Sequence, residues 1–148
     1  MSLRNLLQTE LVSCPAETPI KHVAELMEKS DVGAVLITGA GKPLGIVTDR
    51  DIAIRCVAKG LDGNQGIARD IMTKNVQTVS IDDGIMDVVR VMQENEVRRV
   101  PVVQEGGIAV GLLSFGDIFE LLTKEMVALS VPATPKEKKI VERRIRAA

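Results

Sequence analysis

The chain has no tryptophan and no tyrosine, and its only phenylalanines are Phe115 and Phe119. A ligand base would therefore pack mainly on aliphatic side chains, and the aromatic stacking platforms of single-strand nucleic-acid binders are largely excluded. Histidine occurs once, as His22, with no second histidine and no nearby cysteine to complete a metal site. The two cysteines, Cys14 and Cys56, show no CxxC spacing and read as buried thiols of a reducing compartment. No apolar run approaches the roughly 18 residues of a membrane-spanning helix. The N-terminus lacks the charged-then-apolar pattern of a secretory signal, so a cytoplasmic location is expected. Nor is one sign of charge in excess: a net charge of −1 marks no polyanion as the partner.

What is present is ordinary for a globular chain, 45% hydrophobic and 26% charged residues. A length of 148 residues suits one domain, or two half-size repeats sharing a core. The informative stretch is Gly45-Ile46-Val47-Thr48-Asp49-Arg50-Asp51-Ile52, which recurs as Gly111-Leu112-Leu113-Ser114-Phe115-Gly116-Asp117-Ile118. Each copy reads glycine, two aliphatics, a hydroxyl residue, two variable positions, aspartate and isoleucine. The apolar run before the hydroxyl predicts a short buried strand, and the amphipathic run after it predicts a helix. Hydroxyl and carboxylate then sit at a strand-to-helix turn, where unpaired amides and the helix dipole favour an anion. The same residues also fit a capping box, in which Thr48 with Asp51, or Ser114 with Asp117, only satisfies the first helical amides.

Along the chain, Ser2 to Gln8 reads as a short helix with Ser2 as N-cap, and Leu11 to Cys14 as extended. Thr18-Pro19 reads as a helix start, followed by the stripe Ile20, Val23, Ala24, Leu26, Met27 to about Ser30. Ala34 to Ile37 and Leu44 to Val47 read as strands around a turn at Gly39-Ala40-Gly41-Lys42-Pro43. A helix is expected from about Asp49 to Lys59, then a Gly-rich connection over Gly60 to Gly66. The second half repeats the order. Val76 to Val79 is extended, and Asp82 or Asp83 caps a helix with stripe Ile85, Val88, Val89, Val91, Met92. Strands follow at Val100 to Val103 and Ala109 to Leu113, then a helix from about Phe115 to Val127. Pro101 lacks a backbone donor, which places an edge or bulge there.

A shift of 65 positions lays Ile20 on Ile85, Val23 on Val88, Met27 on Met92 and Val35 on Val100. One residue inserted in the second turn makes the shift 66, and Gly45, Thr48, Asp51 and Ile52 meet Gly111, Ser114, Asp117 and Ile118. The chain is an internal duplication whose halves, each too small to bury much surface alone, should pack face to face. The boundaries read as repeats at 8–62 and 70–127, a short helix at 1–7 and a basic tail at 128–148.

On these residues the chain resembles a tandem pair of cystathionine-β-synthase (CBS) domains, the Bateman module. The resemblance covers about Leu11 to Leu122. In the second copy it rests on Asp70-Ile71-Met72-Thr73, Thr78-Val79, Val97-Arg98-Arg99-Val100-Pro101-Val102-Val103 and Gly111 to Ile118. The first copy matches over Gly45 to Ile52 but departs at Gly33-Ala34-Val35-Leu36, which lacks the basic residues and the proline. The resemblance implies an α/β fold, two pseudo-symmetric repeats of a small sheet with two packed helices. It also implies adenosine ligands in clefts between the repeats, with AMP, ADP, ATP or S-adenosylmethionine typical.

Within that implication, Asp51 and Asp117 suit the two hydroxyls of a ribose, which a carboxylate can accept together. Thr48 and Ser114 with nearby amides, and Arg98 and Arg99 as charge-assisted forks, suit phosphate. Thr78, Val79, Ser80 and Val102 would frame the base, with Ser13, Cys14 and Pro15 at the matching first-half positions. Arg50 stands in the first motif where the second has Gly116. The second site is therefore expected to favour phosphorylated ligands more strongly, unless Arg98 and Arg99 are a solvated surface pair.

No catalytic constellation accompanies these residues, so the expectation is a regulatory binding module, a homodimer signalling to a protein partner, without a membrane. The alternatives are an interaction module in which the boxes are only caps, and a nucleic-acid regulator using the tail. Residues 133–148 carry Lys136, Lys138, Lys139, Arg143, Arg144 and Arg146 against Glu137 and Glu142, +4 in all, leaving −5 for the rest. That segment is either a docking arm or a solvated end.

Overall fold

A computed structural model describes residues 3–7 and 10–130. The chain forms two units, residues 1–115 and 116–148. The first sheet and its helices are β1 (Ser13–Pro15), α1 (Ile20–Ser30), β2 (Ala34–Gly39), β3 (Lys42–Thr48), α2 (Asp49–Asp51), α3 (Ala68–Ile71) and β4 (Thr73–Lys74), with β4 drawn from the start of the second sequence repeat. The second sheet and its helices are β5 (Val79–Ser80), α4 (Ile85–Glu94), β6 (Arg99–Gln104), β7 (Ile108–Ser114) and α5 (Phe115–Ser130). The strands make a four-stranded sheet in the order β1-β2-β3-β4 and a three-stranded sheet in the order β5-β6-β7.

The duplication is visible in the pairing itself. β1 lies parallel to β2 with Cys14 opposite Ile37, and β5 lies parallel to β6 with Val79 opposite Val102. The hairpin pairs β2–β3 and β6–β7 are antiparallel. Each is irregular at the same place, between Ile37 and Thr38 and between Val102 and Val103.

The run Ala34-Val35-Leu36-Ile37 is apolar at every position because β2 is covered on both faces. Successive side chains in a strand point to opposite sides. Val35 and Ile37 join Cys14, Val47, Cys56 and the α1 stripe Ile20, Val23, Met27, closed by Ala68, Ile71 and Met72. Ala34 and Leu36 pack with Ile46 and Leu11, and with Val76, Ala109 and Leu112 of the second half. The amide of Ala109 donates to Gly41 O at 2.8 Å, tying one hairpin to the other. The two sequence halves thus share one apolar cluster.

Several elements differ from the expectation. α1 begins at Ile20, and Pro19 is its N-cap with ψ 141°. Pro19 is extended because it bridges Ile67, while Thr18 O accepts from Ala68 N at 2.8 Å and the Thr18 hydroxyl bonds Cys14. The helix expected over 49–59 is α-helical only at Asp49–Asp51 and then widens to a π-helix over Ile52–Val57. Its wider bonds include Ala58 N to Ala53 O and Leu61 N to Cys56 O, each spanning five residues.

Neither Asp82 nor Asp83 caps α4. Gly84 holds that position with its amide on Asp87 Oδ2 at 3.0 Å, and Asp83 Oδ2 instead takes the Ser80 amide at 2.7 Å. Pro101 lies in the middle strand of its sheet, but β5 pairs only from Val102 onward, so no ladder bond is asked of it there. The N-terminal helix shortens to a 3₁₀ turn at Leu3–Asn5, with Leu3 fully buried. Ser2, Gln8 and the basic segment 131–148 lie outside the described residues.

β4 was not anticipated. After α3 the chain returns to the first sheet, and Lys74 and Thr73 pair with Gly45 and Ile46. In the second unit, α5 exposes Phe119, Leu122, Met126, Val127 and Leu129 and buries Ile118. Among the described residues no helix is long and apolar enough to cross a membrane.

Candidate ligand-binding site

β3 ends at Thr48, still extended at φ −111° and ψ 163°, and the chain then turns into α2. Thr48 Oγ1 accepts from the Asp51 amide at 3.2 Å. Asp51 Oδ2 accepts from the Thr48 amide at 2.9 Å and from the Thr48 hydroxyl at 3.0 Å. Both halves of the capping box are therefore closed. Asp51 Oδ1 lies 3.5 Å from Arg55 Nη2, and Asp51 keeps 13% of its side-chain surface exposed. Arg55 Nη1 donates to Ile71 O at 2.8 Å and to Thr73 Oγ1 at 3.2 Å. The Arg50 side chain is exposed, and its amide donates to Asp49 Oδ1 at 2.8 Å.

Each turn is anchored to the start of the neighbouring strand by an equivalent bond. The Asp49 amide donates to Gly33 O at 3.2 Å, and the Phe115 amide to Arg98 O at 2.9 Å. These positions correspond under the same shifts of 65 and 66 that relate the halves. Ser114 ends β7, and Asp117 is exposed in the first turn of α5.

The arginines divide. Arg98 is exposed, whereas Arg99 is half-buried and stands opposite Ser114 in the β6–β7 ladder. A Cβ at Gly33 would lie 3.3 Å from Asp49 Oδ2 and 3.7 Å from Arg99 Nη2. The Arg99 guanidinium of the second repeat thus reaches the first repeat's turn. Sequence reasoning placed both arginines at the second site. It also passed over Arg55, which the spacing of four residues from Asp51 could have flagged.

On the other strand, Ser13 and Thr78 are exposed, Ser80 is half-buried, and Cys14 and Val79 are buried. Val102 is fully buried. The side chains of Cys14, Val79 and Val102 are packed inward; β1 and β5 are edge strands of their sheets, whereas β6, which carries Val102, is paired on both sides. Burial pushes the Cys14 thiol pKa above its ordinary value of 9.0, partly opposed by the hydrogen bond from Thr18. The Ser80 hydroxyl accepts from the Asp82 amide at 3.2 Å within the turn leading to α4. His22 is exposed, 3.9 Å from Glu25, and among the described residues no cluster of three His, Cys, Asp or Glu side chains could hold a metal ion. A surface depression lies elsewhere, lined by Arg4, Ile81, Asp82, Gln104, Glu105 and Gly106 and spanned by the Arg4–Asp82 ion pair at 2.7 Å.

Two sheet-and-helix repeats with matched strand-to-helix turns define a CBS-domain pair. The CBS domain family matches residues 3–57 and 68–124, and the chain belongs to that family. It is 35% identical over 124 residues to Hypoxic response protein 1 of Mycobacterium tuberculosis, covering 82% of this chain and 86% of that one. A Methanopyrus kandleri relative is 33% identical over 75% of this chain, which spans only 57% of that relative's length. Among solved structures, a CBS domain protein from Pyrobaculum aerophilum complexed with AMP superposes with a TM-score of 0.72 at 32% identity, covering 83% of this chain and 99% of that one. The CBS domain pair of protein MJ0100, in complex with 5′-methylthioadenosine and S-adenosyl-L-methionine, superposes with a TM-score of 0.74 at 26% identity, covering 84% and 98%.

Proposed function

We propose that the protein is a regulatory module that binds an adenosine-containing ligand and passes its occupancy to a partner protein. The observation that carries this reading is the paired construction of the turns. Thr48 and Ser114 end equivalent strands, the same backbone bond anchors each turn, and aspartate follows three residues later in both. The two solved relatives that hold AMP and S-adenosylmethionine lend the ligand class. Asp51 and Asp117 are the proposed ribose partners, and Thr48 and Ser114 the phosphate-side hydroxyls. Arg99, with its guanidinium beside Gly33 and Asp49, is the proposed phosphate cation of the first turn. Thr78, Ser80 and Ser13 border the strands proposed to frame the base. A ligand that prefers one packing of the repeats shifts the population toward it, and a partner that senses that packing reads the ligand.

We extend the proposal to a homodimer. The exposed Ile54, Val57 and Leu61 leave the first unit an apolar surface beyond its own core, and light scattering at micromolar protein tests it.

Calorimetric titration of AMP, ADP, ATP, S-adenosylmethionine and NAD, with Asp51→Ala and Asp117→Ala as controls, tests the ligand. Micromolar binding by one of them, lost in a variant, supports the reading and names the ligand. A second reading has an observation of its own. Asp51 Oδ2 is already engaged twice by Thr48, as a pure helix cap would have it. Failure of all five ligands to bind would put that reading, a ligand-free interaction module, first.

A further inference from the structure

Arg55 belongs to neither the strand nor the turn, yet its side chain is tied to three groups. Nη2 lies 3.5 Å from Asp51 Oδ1, while Nη1 donates to Ile71 O at 2.8 Å and to Thr73 Oγ1 at 3.2 Å. The first partner is the carboxylate proposed to meet the ribose. The other two stand at the end of α3 and the start of β4, at the head of the second repeat, whose family match begins at residue 68.

The arrangement follows from chemistry. Residues four apart on a helical segment share a face, which brings Arg55 under Asp51. A planar guanidinium offers donors in several fixed directions, so one side chain can serve two elements. Ile71 O is one of the last carbonyls of α3 and has no helical donor of its own. Thr73 and Lys74 are paired to β3 at two positions, and the Arg55 bond to Thr73 Oγ1 adds a further hold on β4. Asp51 Oδ2 is occupied by Thr48, which leaves Oδ1 as the oxygen through which Asp51 and Arg55 interact.

We propose that Arg55 is a positioning residue that carries the state of the Asp51 carboxylate to β4. With Oδ1 available, the guanidinium is drawn between Asp51 and the connection, and β4 is fastened. When Oδ1 is neutralised or taken by a ligand diol, Arg55 loses that anchor and β4 is held less firmly. The ligand half of this proposal rests on the reading of Asp51 as a ribose partner, whereas the Arg55 link is a property of the ligand-free chain. An arginine that merely caps α3 would leave β4 indifferent to Asp51.

The test is hydrogen exchange of the backbone over Ile71 to Val76 in the full chain, for wild type, Asp51→Asn, Arg55→Gln and the double variant. Asp51→Asn should speed exchange there by about two- to fivefold, the range set by a partly exposed ion pair. It should add nothing in the Arg55→Gln background. An equal effect of Asp51→Asn in both backgrounds, or no effect in either, overturns the proposal. Should Arg55→Gln fail to fold by circular dichroism, Arg55→Lys replaces it. Its ammonium lacks the fork that spans both elements, so it too should uncouple them, and retention of the Asp51→Asn effect in Arg55→Lys overturns the proposal. In a second arm, saturating AMP should speed exchange of the same segment in wild type and not in Arg55→Gln. A response of equal size in Arg55→Gln overturns the link. If neither AMP, ADP, ATP nor S-adenosylmethionine binds wild type, the ligand reading falls, and the ligand-free comparison still decides the role of Arg55.

Discussion

Gly45 and Gly111 open the two copies of the motif, yet alanine at each should have unequal consequences. A Cβ at Gly45 would lie 2.7 Å from Thr73 O and 2.7 Å from Met72 Sδ. The first contact is with backbone, and that backbone belongs to β4, whose pairing with Gly45 and Ile46 would have to open to admit a methyl group. Met72 is itself buried and packed in the first core, so it has little room to yield. Forcing one carbon into a site of this kind costs about 1–3 kcal/mol. Removing glycine from the unfolded chain returns about 0.4–1 kcal/mol. The net expectation for Gly45→Ala is a loss of about 1–2 kcal/mol, read as a fall of about 2–8 °C in melting temperature for a chain of this length.

At Gly111 the three nearest atoms all belong to the Leu7 side chain, Cδ2 closest, then Cδ1 at 3.1 Å and Cγ at 3.2 Å. The end of a half-buried leucine can swing aside, so Gly111→Ala should cost under about 1 kcal/mol. Urea denaturation of the two variants beside wild type measures the difference directly. Equal losses, or a Gly45→Ala variant as stable as wild type, would refute the claim that the first glycine exists to admit β4.

Leu36→Ala should cost about 2–5 kcal/mol, because Leu36 is fully buried against both halves, and unfolding should stay a single transition. Two separated transitions in urea would contradict a shared core. Thr48→Ala opens the capping box and should cost about 1 kcal/mol in thermal unfolding, and an unchanged melting temperature would show the box to be redundant. Because burial raises the Cys14 pKa in the folded chain, folding favours its protonated form. That contribution is fully present below the ordinary value of 9.0 and is lost as pH rises through the higher folded value. The urea midpoint should therefore fall on that alkaline limb, and Cys14→Ala should flatten the fall.

The parts of the fold legible in the sequence are those whose causes are local or doubled. β2 announces itself because burial on both faces leaves no polar position from Ala34 to Ile37, and the Thr48–Asp51 box because its partners are three residues apart. The duplication aligned everything else that both halves share. What escaped was set by tertiary approach. β4 is two residues long, too short for any periodicity, and the extended segment expected over Val76 to Val79 is a strand only at Val79–Ser80. Pro19 reads as a first helical residue, but it bridges Ile67 and its neighbours Thr18 and Ile20 bond Ala68 and Gly66, which keeps it extended. The π-helical turn leaves no pattern that an α-helix would not.

At the candidate site the motif residues were readable, while some of the residues that set the two turns apart lie outside the motif. Gly33 corresponds to Arg98, and its missing side chain opens the space in which Asp49 and the Arg99 guanidinium meet the first turn. Arg55 corresponds under the shift to Leu121, which has no charge to offer a carboxylate. Leu121 cannot make the guanidinium link that Arg55 makes from Asp51 to Thr73 of β4. Two copies of one motif need not be two copies of one device. In this chain the shared residues build the turns, and the unshared ones decide what each turn is connected to.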